Sequence, residues 1–330
     1  MYKIIQLMIA IGLAFAPVLS SAPAEATLAH TWVASTGSDG NNCDRSTPCA
    51  TFIGAYNNTT VGGEITCVDS GNFGGLGITH SLTVNCEGYV ASDTGTTIAV
   101  AFMTITTGPG DVVTLRGLDL DGLGQSANQS CVDPVNFGGV VHFSGAGTLH
   151  LQKMKINHIT GLDCGVQFTP SGSAVLDITD SDISDNGSSG TAAGVYVGPQ
   201  SGAEADVVID HTHIERNYFG IIFDGTQGGI IHGVIRDSVV SGNTENGITA
   251  STTSSNILLL IDQSTVSGSL HGLVAGGANA AIMVRNTSVF GNTAAGLFTV
   301  NGGQLFSYGN NSVDGNNGNN GAFTGMATLK

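Results

Sequence analysis

The sequence predicts an all-β protein built as a single right-handed parallel β-helix, with about nine coils of three strands each. Three observations predict this fold class. A short motif of apolar, small and polar residues that ends in asparagine recurs about every 25 residues through the second half of the chain. Stacked copies of the motif place apolar residues at alternate positions, which is the periodicity of strands. Glycine supplies 49 of the 330 residues, as expected for a chain with many tight turns.

The first 26 residues are predicted to be a secretory signal peptide. They combine Lys3, an apolar run over residues 4–18 and an Ala-Glu-Ala sequence that ends at Ala26, in the order that signal peptides follow. The run is shorter than the roughly 20 residues that a membrane-spanning helix needs. We therefore expect a secreted or periplasmic protein with no transmembrane segment.

Residues 27–60 are predicted to form an N-terminal cap with one short helix. A Ser-Thr-Pro-Cys sequence at 46–49 places a capping residue and a proline ahead of an apolar stretch, which is typical of a helix start. The open end of a solenoid exposes its core and an unpaired strand. The helix is therefore expected to cover the first coil with Phe52, Ile53 and Tyr56.

The β-helix is predicted over residues 61–316, and three columns define its coils. One apolar column reads Val84, Leu115, Leu151, Ile178, Ile209, Ile235, Ile261, Val284 and Tyr308. A second apolar column reads Ile156, Ile183, Ile214, Val240, Val266, Val289 and Val313. The polar column reads Asn186, Asn217, Asn243, Ser269, Asn292 and Asn316. Stacked asparagines tolerate left-handed backbone and are expected to pass hydrogen bonds from coil to coil.

A third strand is expected after each asparagine, and a glycine begins it. The spacing between these glycines is too long for the six-residue units of a left-handed β-helix, which favours the right-handed form. The outward side chains are expected to form an exposed, mainly apolar stripe, unless a loop folds over it: Val141, Gln167, Tyr196, Ile222, Thr249, Val274 and Phe298. Tyr196, Ile222 and Phe298 are the candidate ligand-binding residues of this stripe. Residues 317–330 are predicted to be a flexible tail.

The six cysteines favour disulfides over a metal site, because their number is even and the chain is expected to be exported. No cysteine or histidine spacing typical of zinc is present, and no metal ligand is assigned. Pairing sequence neighbours predicts the bonds Cys43–Cys49, Cys67–Cys86 and Cys131–Cys164.

The formal net charge of −16 repels nucleic acid and anionic membranes. Neither is therefore expected as a partner, and an acidic polysaccharide is disfavoured. The expected partner is a neutral or weakly charged glycan or cell-surface polymer.

Ionisable residues recur at two outward positions and define the candidate catalytic patch: Asp180, Asp182, His211, His213 and Asp237. Carboxylates two strand residues or two coils apart are separated by about 6.5–9.5 Å, the range that an inverting glycoside hydrolase uses. The same residues are also suited to a divalent cation such as calcium. The plain alternative is a solvated face on which aspartates offset the charge of histidines. A second group clusters near one loop: Asp224, His232, Arg236 and Asp237.

The asparagine column, the repeated aliphatic-x-(Ser/Thr)-x-aliphatic strands and the opening TWVASTGSDGNNCDRSTPCATF carry a resemblance. With them the chain resembles right-handed parallel β-helix proteins of the pectin lyase-like superfamily, of the exported bacterial type. The resemblance implies the fold, but this fold supports lyases, hydrolases, epimerases and adhesins. Polygalacturonase motifs are missing, since Asn243, Thr244 and Glu245 only approximate Asn-Thr-Asp. No catalytic residue is therefore carried over from the superfamily.

Two functions follow as hypotheses. The first is binding or processing of a neutral or weakly charged polysaccharide along the outer strands, by a hydrolase or lyase if the protein is an enzyme. The second is a non-catalytic surface, adhesion or matrix protein that uses the apolar stripe to adhere or to form a homo-oligomer.

Overall fold

The computed structural model describes residues 27–92, 102–126, 129–133 and 138–328. The predicted signal peptide lies outside these residues. The described chain winds into a parallel β-helix, as predicted, and passes through sheets A, B and C in turn. Neighbours in each sheet come from successive coils, and their pairing is parallel.

Sheet A contains twelve strands of the described chain. In spatial order they are Leu28–Val33, Thr59–Cys67, Leu82–Asn85, Val112–Arg116, Gly147–Gln152, Ala174–Thr179, Glu204–Asp210, Ile230–Arg236, Ile257–Asp262, Ala280–Arg285, Gln304–Ser307 and Gly325–Met326.

Sheet B holds ten strands within the described ranges. They are Gly71–Asn72, Ala91–Ser92, Leu118–Gln125, Lys155–Ile159, Asp182–Ser184, His213–Glu215, Val239–Ser241, Thr265–Ser267, Ser288–Phe290 and Ser312–Asp314.

Sheet C has nine strands among the residues described, one for each complete coil. They are Leu76–Ile78, Met103–Ile105, Gly139–Phe143, Cys164–Phe168, Ala193–Val197, Phe219–Asp224, Ile248–Ser251, His271–Gly276 and Ala295–Val300. The prediction of about nine coils is thus confirmed.

The two apolar columns form the core, with one error at the last coil. Ile178 pairs with Ile209 in sheet A, and Ile183 pairs with Ile214 in sheet B, and all four side chains are buried. The prediction for Tyr308 is wrong: the register partner of Val284 is Ser307. The turn that follows is one residue longer than in the preceding coil, since 313 − 307 is 6 and 289 − 284 is 5.

The asparagine column forms the predicted hydrogen-bonded ladder. The Asn217 side chain accepts hydrogen bonds from the backbone N–H of Asn186 (3.0 Å) and from its Nδ2 (3.1 Å). Asn217 in turn donates from its backbone N–H to Oδ1 of Asn243 (3.0 Å). Both Asn186 and Asn217 are buried. Ser269 takes the next position, and its Oγ hydrogen-bonds within its own coil to the carbonyl of Ser267.

Glycines near the start of the sheet C strands, such as Gly194 and Gly220, are needed because the asparagine ladder passes so close to them. A Cβ atom added to Gly194 would lie 2.8 Å from Nδ2 of Asn217, and one added to Gly220 would lie 2.9 Å from Nδ2 of Asn243. Such contacts are too short for any side chain. The asparagine ladder therefore requires glycine at the neighbouring positions of sheet C.

The N-terminal cap combines a strand and a helix. Strand Leu28–Val33 pairs with Thr59–Cys67 and extends sheet A by one strand. The helix Phe52–Asn58 begins after Thr51, whose hydroxyl accepts a hydrogen bond from the Gly54 N–H (3.0 Å). This side-chain cap stabilises the first turn.

The predicted helix covers the first coil with only part of its expected apolar set. Phe52 is buried and its ring lies 5.4 Å from that of Phe73, and Tyr56 packs against the core. Ile53 is 55% exposed, so its predicted contact with the core is wrong. The described residues include no helix of the length and apolarity needed to cross a membrane.

The three predicted disulfides, Cys43–Cys49, Cys67–Cys86 and Cys131–Cys164, are confirmed. The third one anchors a loop that covers the outer face of sheet C. The buried Gln167 side chain donates to the carbonyls of Cys131 and Asp133 (both 2.9 Å). It also accepts from the backbone N–H of Gly138 (2.8 Å).

Residues 317–328, expected to be part of a flexible tail, lie against the last coil. Strand Gly325–Met326 pairs with Phe306 and Ser307, and Phe323 packs against the core. The Asn320 side chain accepts a hydrogen bond from the Asn316 backbone N–H (3.3 Å) and so extends the asparagine ladder.

Candidate functional site

The predicted patch lies on the corner between sheets A and B. Its first column consists of turn residues whose φ angles lie between 47° and 52°: Lys153, Asp180, His211, Asp237, Gln263 and Asn286. This left-handed conformation is unfavourable for residues other than Gly, Asn and Asp. The turn therefore explains why Asp180, Asp237 and Asn286 recur in this column, independently of any function.

The structure brings His211 and Asp237 together with Asp210, the last residue of strand Glu204–Asp210. His211 Nδ1 lies 2.8 Å from Asp210 Oδ1, and Arg236 donates to Asp210 Oδ2 at 2.9 Å. Burial opposes ionisation of Asp210, but the hydrogen bonds from Arg236 and His211 outweigh it, so the pKa of this carboxyl lies below its usual range. Asp237 accepts from Gln263 at 2.7 Å.

The second column pairs Asp182 with His213 in the backbone register of sheet B. His213 Nδ1 lies 3.8 Å from Glu215 Oε1, outside hydrogen-bond distance. Among the described residues, no side-chain hydrogen bond or ion pair joins Asp180 or Asp182 to either histidine. The side chains of His211 and His213 are 63% and 58% exposed, so the patch is an open corner that faces water.

A groove of about 310 Å³ lies on the outer face of sheet A, and the sequence analysis did not predict it. Its floor is an outward column of partly exposed apolar side chains in perfect register: Val208, Val234, Leu260 and Met283. These four strands are separated by three spacings of about 4.8 Å, so the floor is about 14 Å long from the first strand to the last. Leu258, which is 45% exposed, lines the groove beside this column.

Polar groups converge at one edge of the groove. Asp206 pairs with His232 in the sheet register. His232 Nδ1 lies 3.1 Å from Glu204 Oε1 and 3.4 Å from Asp206 Oδ1. The sequence contained a signal for this cluster, because the alignment of Ile209 with Ile235 also aligns Asp206 with His232, three positions earlier in each strand. The second predicted group, of Asp224, His232, Arg236 and Asp237, does not form one cluster. Arg236 donates a hydrogen bond to Asp210, and Asp224 accepts one from the Tyr196 hydroxyl.

In the part of the chain that the structure describes, two groups of side chains have metal-binding donors within 4.8 Å of one another: Glu204, Asp206 and His232, and Asp210, His211 and Asp237. Calcium prefers oxygen ligands throughout. One imidazole with two carboxylates is better suited to a first-row transition ion. In the second group Arg236 and Gln263 already occupy carboxylate oxygens, which leaves the first group as the more available donor set.

The stripe expected on sheet C differs from the prediction in register and in exposure. Val141 pairs with Val166 and faces the core, so its outward assignment is wrong, and His142 takes the outward position opposite Gln167. Tyr196 is fully buried and Ile222 is 9% exposed. The loop held by Cys131–Cys164 packs on these side chains. Phe298 is 41% exposed and lies 4.8 Å from the His271 ring.

Comparison with known proteins supports the architecture. A protein family described as "Right handed beta helix region" matches residues 139–317, more than half of the chain. No curated protein and no solved structure matches the chain.

Proposed function

The chain belongs to the right-handed β-helix family, and from this premise we propose that it is an exported protein that binds a neutral or weakly charged polysaccharide in the groove of sheet A. The observation that carries the proposal is the union of a long apolar floor with a polar edge. Binding sites for organic ligands are concave, mainly apolar, and contain a few polar groups that fix orientation. The floor of Val208, Val234 and Leu260 and the edge of Asp206 and His232 have this composition.

The charge of the protein supports the choice of ligand. A formal net charge of −16 repels polyanions, whereas the hydroxyl groups of a neutral sugar are suitable partners for carboxylate and imidazole groups. Three disulfides are typical of proteins in oxidising compartments, which supports export.

Asp206 and His232 also supply the groups that general acid–base catalysis uses. The exposed corner of Asp180, Asp182, His211, His213 and Asp237 stays a prediction as a second place for such chemistry. An assay of the protein should therefore measure both glycan binding and the release of new reducing ends.

The experiment uses a matched pair of variants in the same coil. Val234 lies in the groove floor and Val239 lies on sheet B, and both side chains are partly exposed. We expect Val234→Lys to weaken binding to neutral polysaccharides by about tenfold or more, because a charge in an apolar site is costly. Val239→Lys should bind like the wild type. Absence of binding to any neutral glycan, or equal binding by the two variants, would contradict the proposal.

The variants Asp180→Ala and His211→Ala test whether the ligand binds at the exposed corner between sheets A and B instead of in the groove. Loss of binding or cleavage in these two variants, with full function in Val234→Lys, would move the site from the groove to the corner.

One observation favours the second function, a structural protein that self-associates. Large apolar side chains are exposed in the last coils: Phe290 (57%), Phe298 (41%), Val300 (42%) and Met326 (66%). Such residues are typical of association surfaces. Sedimentation velocity of the wild type and of Phe290→Ser tests this function, which predicts an oligomer that the variant weakens.

A further inference from the structure

A second cleft, about 260 Å³ in volume, lies at the N-terminal end of sheet A, far along the solenoid from the groove described above. Its walls include Trp32, which is the single tryptophan of the chain, together with Tyr89, His30 and Arg45. Tyr89 is 43% exposed. Aromatic side chains and a cation thus meet in a recess at the edge strand Leu28–Val33.

Two disulfide-closed loops hold this cleft together. Arg45 lies in the loop closed by Cys43–Cys49. This loop is fixed to Trp32 on both sides, since Trp32 N–H donates to the Cys43 carbonyl (2.8 Å) and Cys49 N–H donates to the Trp32 carbonyl (2.9 Å).

Tyr89 lies just beyond the loop closed by Cys67–Cys86, and its backbone N–H donates to the Cys86 carbonyl (3.0 Å). The His30 ring stacks on Trp32 with centroids 4.0 Å apart. The aromatic walls are therefore held in place before any ligand binds, which reduces the entropic cost of binding.

Arg45 differs from the other cationic side chains of the described chain. Six of the seven described lysines and arginines form ion pairs with carboxylates: Arg116, Lys153, Lys155, Arg216, Arg236 and Arg285. Arg45 is the exception: no carboxylate among the described residues forms an ion pair with it.

Two acidic side chains beside the cleft, Asp44 next to Arg45 in the chain and Glu64 opposite His30 in sheet A, are engaged with other groups. The Asp44 side chain accepts from the backbone N–H groups of Ser46 (2.8 Å) and Thr47 (2.9 Å). Glu64 accepts from Thr66 (3.1 Å). The Arg45 guanidinium is thus available for an anionic ligand, although the whole chain is strongly acidic.

We infer that this cleft binds a single anionic sugar residue, with the ring against Trp32 and Tyr89 and the carboxylate or sulfate on Arg45. Aromatic faces pack against flat apolar surfaces, and the planar guanidinium binds carboxylates and other oxyanions through paired hydrogen bonds. The volume lies below the roughly 300–1,000 Å³ of sites for drug-sized ligands, which suits one ring. A net charge of −16 opposes a long polyanion, so the ligand is an isolated acidic residue.

The experiment uses Trp32 as its own reporter, because no other tryptophan contributes fluorescence. The chain without its predicted signal peptide is titrated with glucuronic acid, glucose 6-sulfate and glucose at low ionic strength. We expect both charged sugars to change the emission, and glucose to bind about tenfold more weakly or less, since a charge-assisted hydrogen bond is lost. The two charged sugars distinguish a carboxylate from a sulfate as the preferred group.

Two arginine variants complete the test. Arg45→Gln should weaken binding of the preferred charged sugar by about tenfold or more. Arg216→Gln removes another exposed arginine, which pairs with Asp185, and should bind like the wild type. Equal affinities for glucose and the charged sugars, an unchanged affinity in Arg45→Gln, or no emission change with any of the three sugars would overturn the inference. Val234→Lys leaves this cleft intact, so failure of the groove proposal and failure of this inference are distinguishable.

Discussion

Replacing Asn217 by alanine tests the asparagine ladder directly. The Asn217 side chain accepts two hydrogen bonds from Asn186, and its Nδ2 donates to the Ile183 carbonyl (2.9 Å). The Asn186 side-chain amide keeps a second acceptor, the Ile156 carbonyl. The backbone N–H of Asn186 is buried and loses its side-chain acceptor. A buried donor left without a partner costs about 1–3 kcal/mol.

The lost donor to Ile183 and the space left by the side chain add to this cost. We therefore expect Asn217→Ala to lower the free energy of unfolding by about 2–4 kcal/mol. Urea unfolding followed by far-ultraviolet circular dichroism measures the loss as a shift in midpoint at constant slope.

The control is Asn279→Ala. Asn279 is exposed and donates one hydrogen bond, to the Ser254 carbonyl, so we expect a loss below about 0.5 kcal/mol. If the two alanine variants unfold at the same urea concentration, the side-chain hydrogen bonds of the ladder do not stabilise the coils.

Three further predictions concern other parts of the solenoid. Ser269→Asn should stabilise the fold by about 1 kcal/mol by supplying a carboxamide acceptor to the coil before it; an unchanged urea midpoint would contradict this. Arg285 donates a hydrogen bond to the Asp262 carboxylate and so holds the pKa of this carboxyl below its usual range. The stability that the ionised Asp262 contributes is therefore present above about pH 4 and is lost as the pH falls through the lower folded-state pKa. Asp262→Asn should therefore flatten the fall in thermal midpoint at acidic pH, and an equally steep fall would refute the assignment. Replacing Cys131 and Cys164 by alanine should speed hydrogen exchange of the Gln167 side-chain amide, while the backbone amides of the asparagine ladder stay protected. Equal loss of protection in both places would contradict this, because it would show that the loop supports the whole coil.

Much of the fold was predictable from the sequence because each coil repeats the same physical problem. Ile178, Ile209 and Ile235 recur at one position since that position always faces the core. The register failed where a turn changed length, as before Val313, because an added turn residue leaves no trace in the apolar alternation.

The surface was less predictable than the core. Tyr196 belongs to an outward column, yet a disulfide-anchored loop distant in sequence buries it. At the corner, the columns of the sequence place His211 beside Asp237 but do not show Asp210 with them, because a side chain at the end of a strand reaches around the turn to its neighbour. Contacts between columns depend on side-chain direction, which a repeat alignment does not contain.

Each coil pairs only with the coils directly before and after it. This arrangement determines how such a chain can change its length. Residue 204 lies beside residue 230 in sheet A, so excision of residues 204–229 would join two coils whose interior columns already match. The solenoid is therefore free to gain or lose whole turns by duplication and deletion without a new core. Its exterior has no such freedom, because His232 would lose both acidic neighbours in one event. A change in the number of coils thus preserves the core but alters the chemistry of the surface.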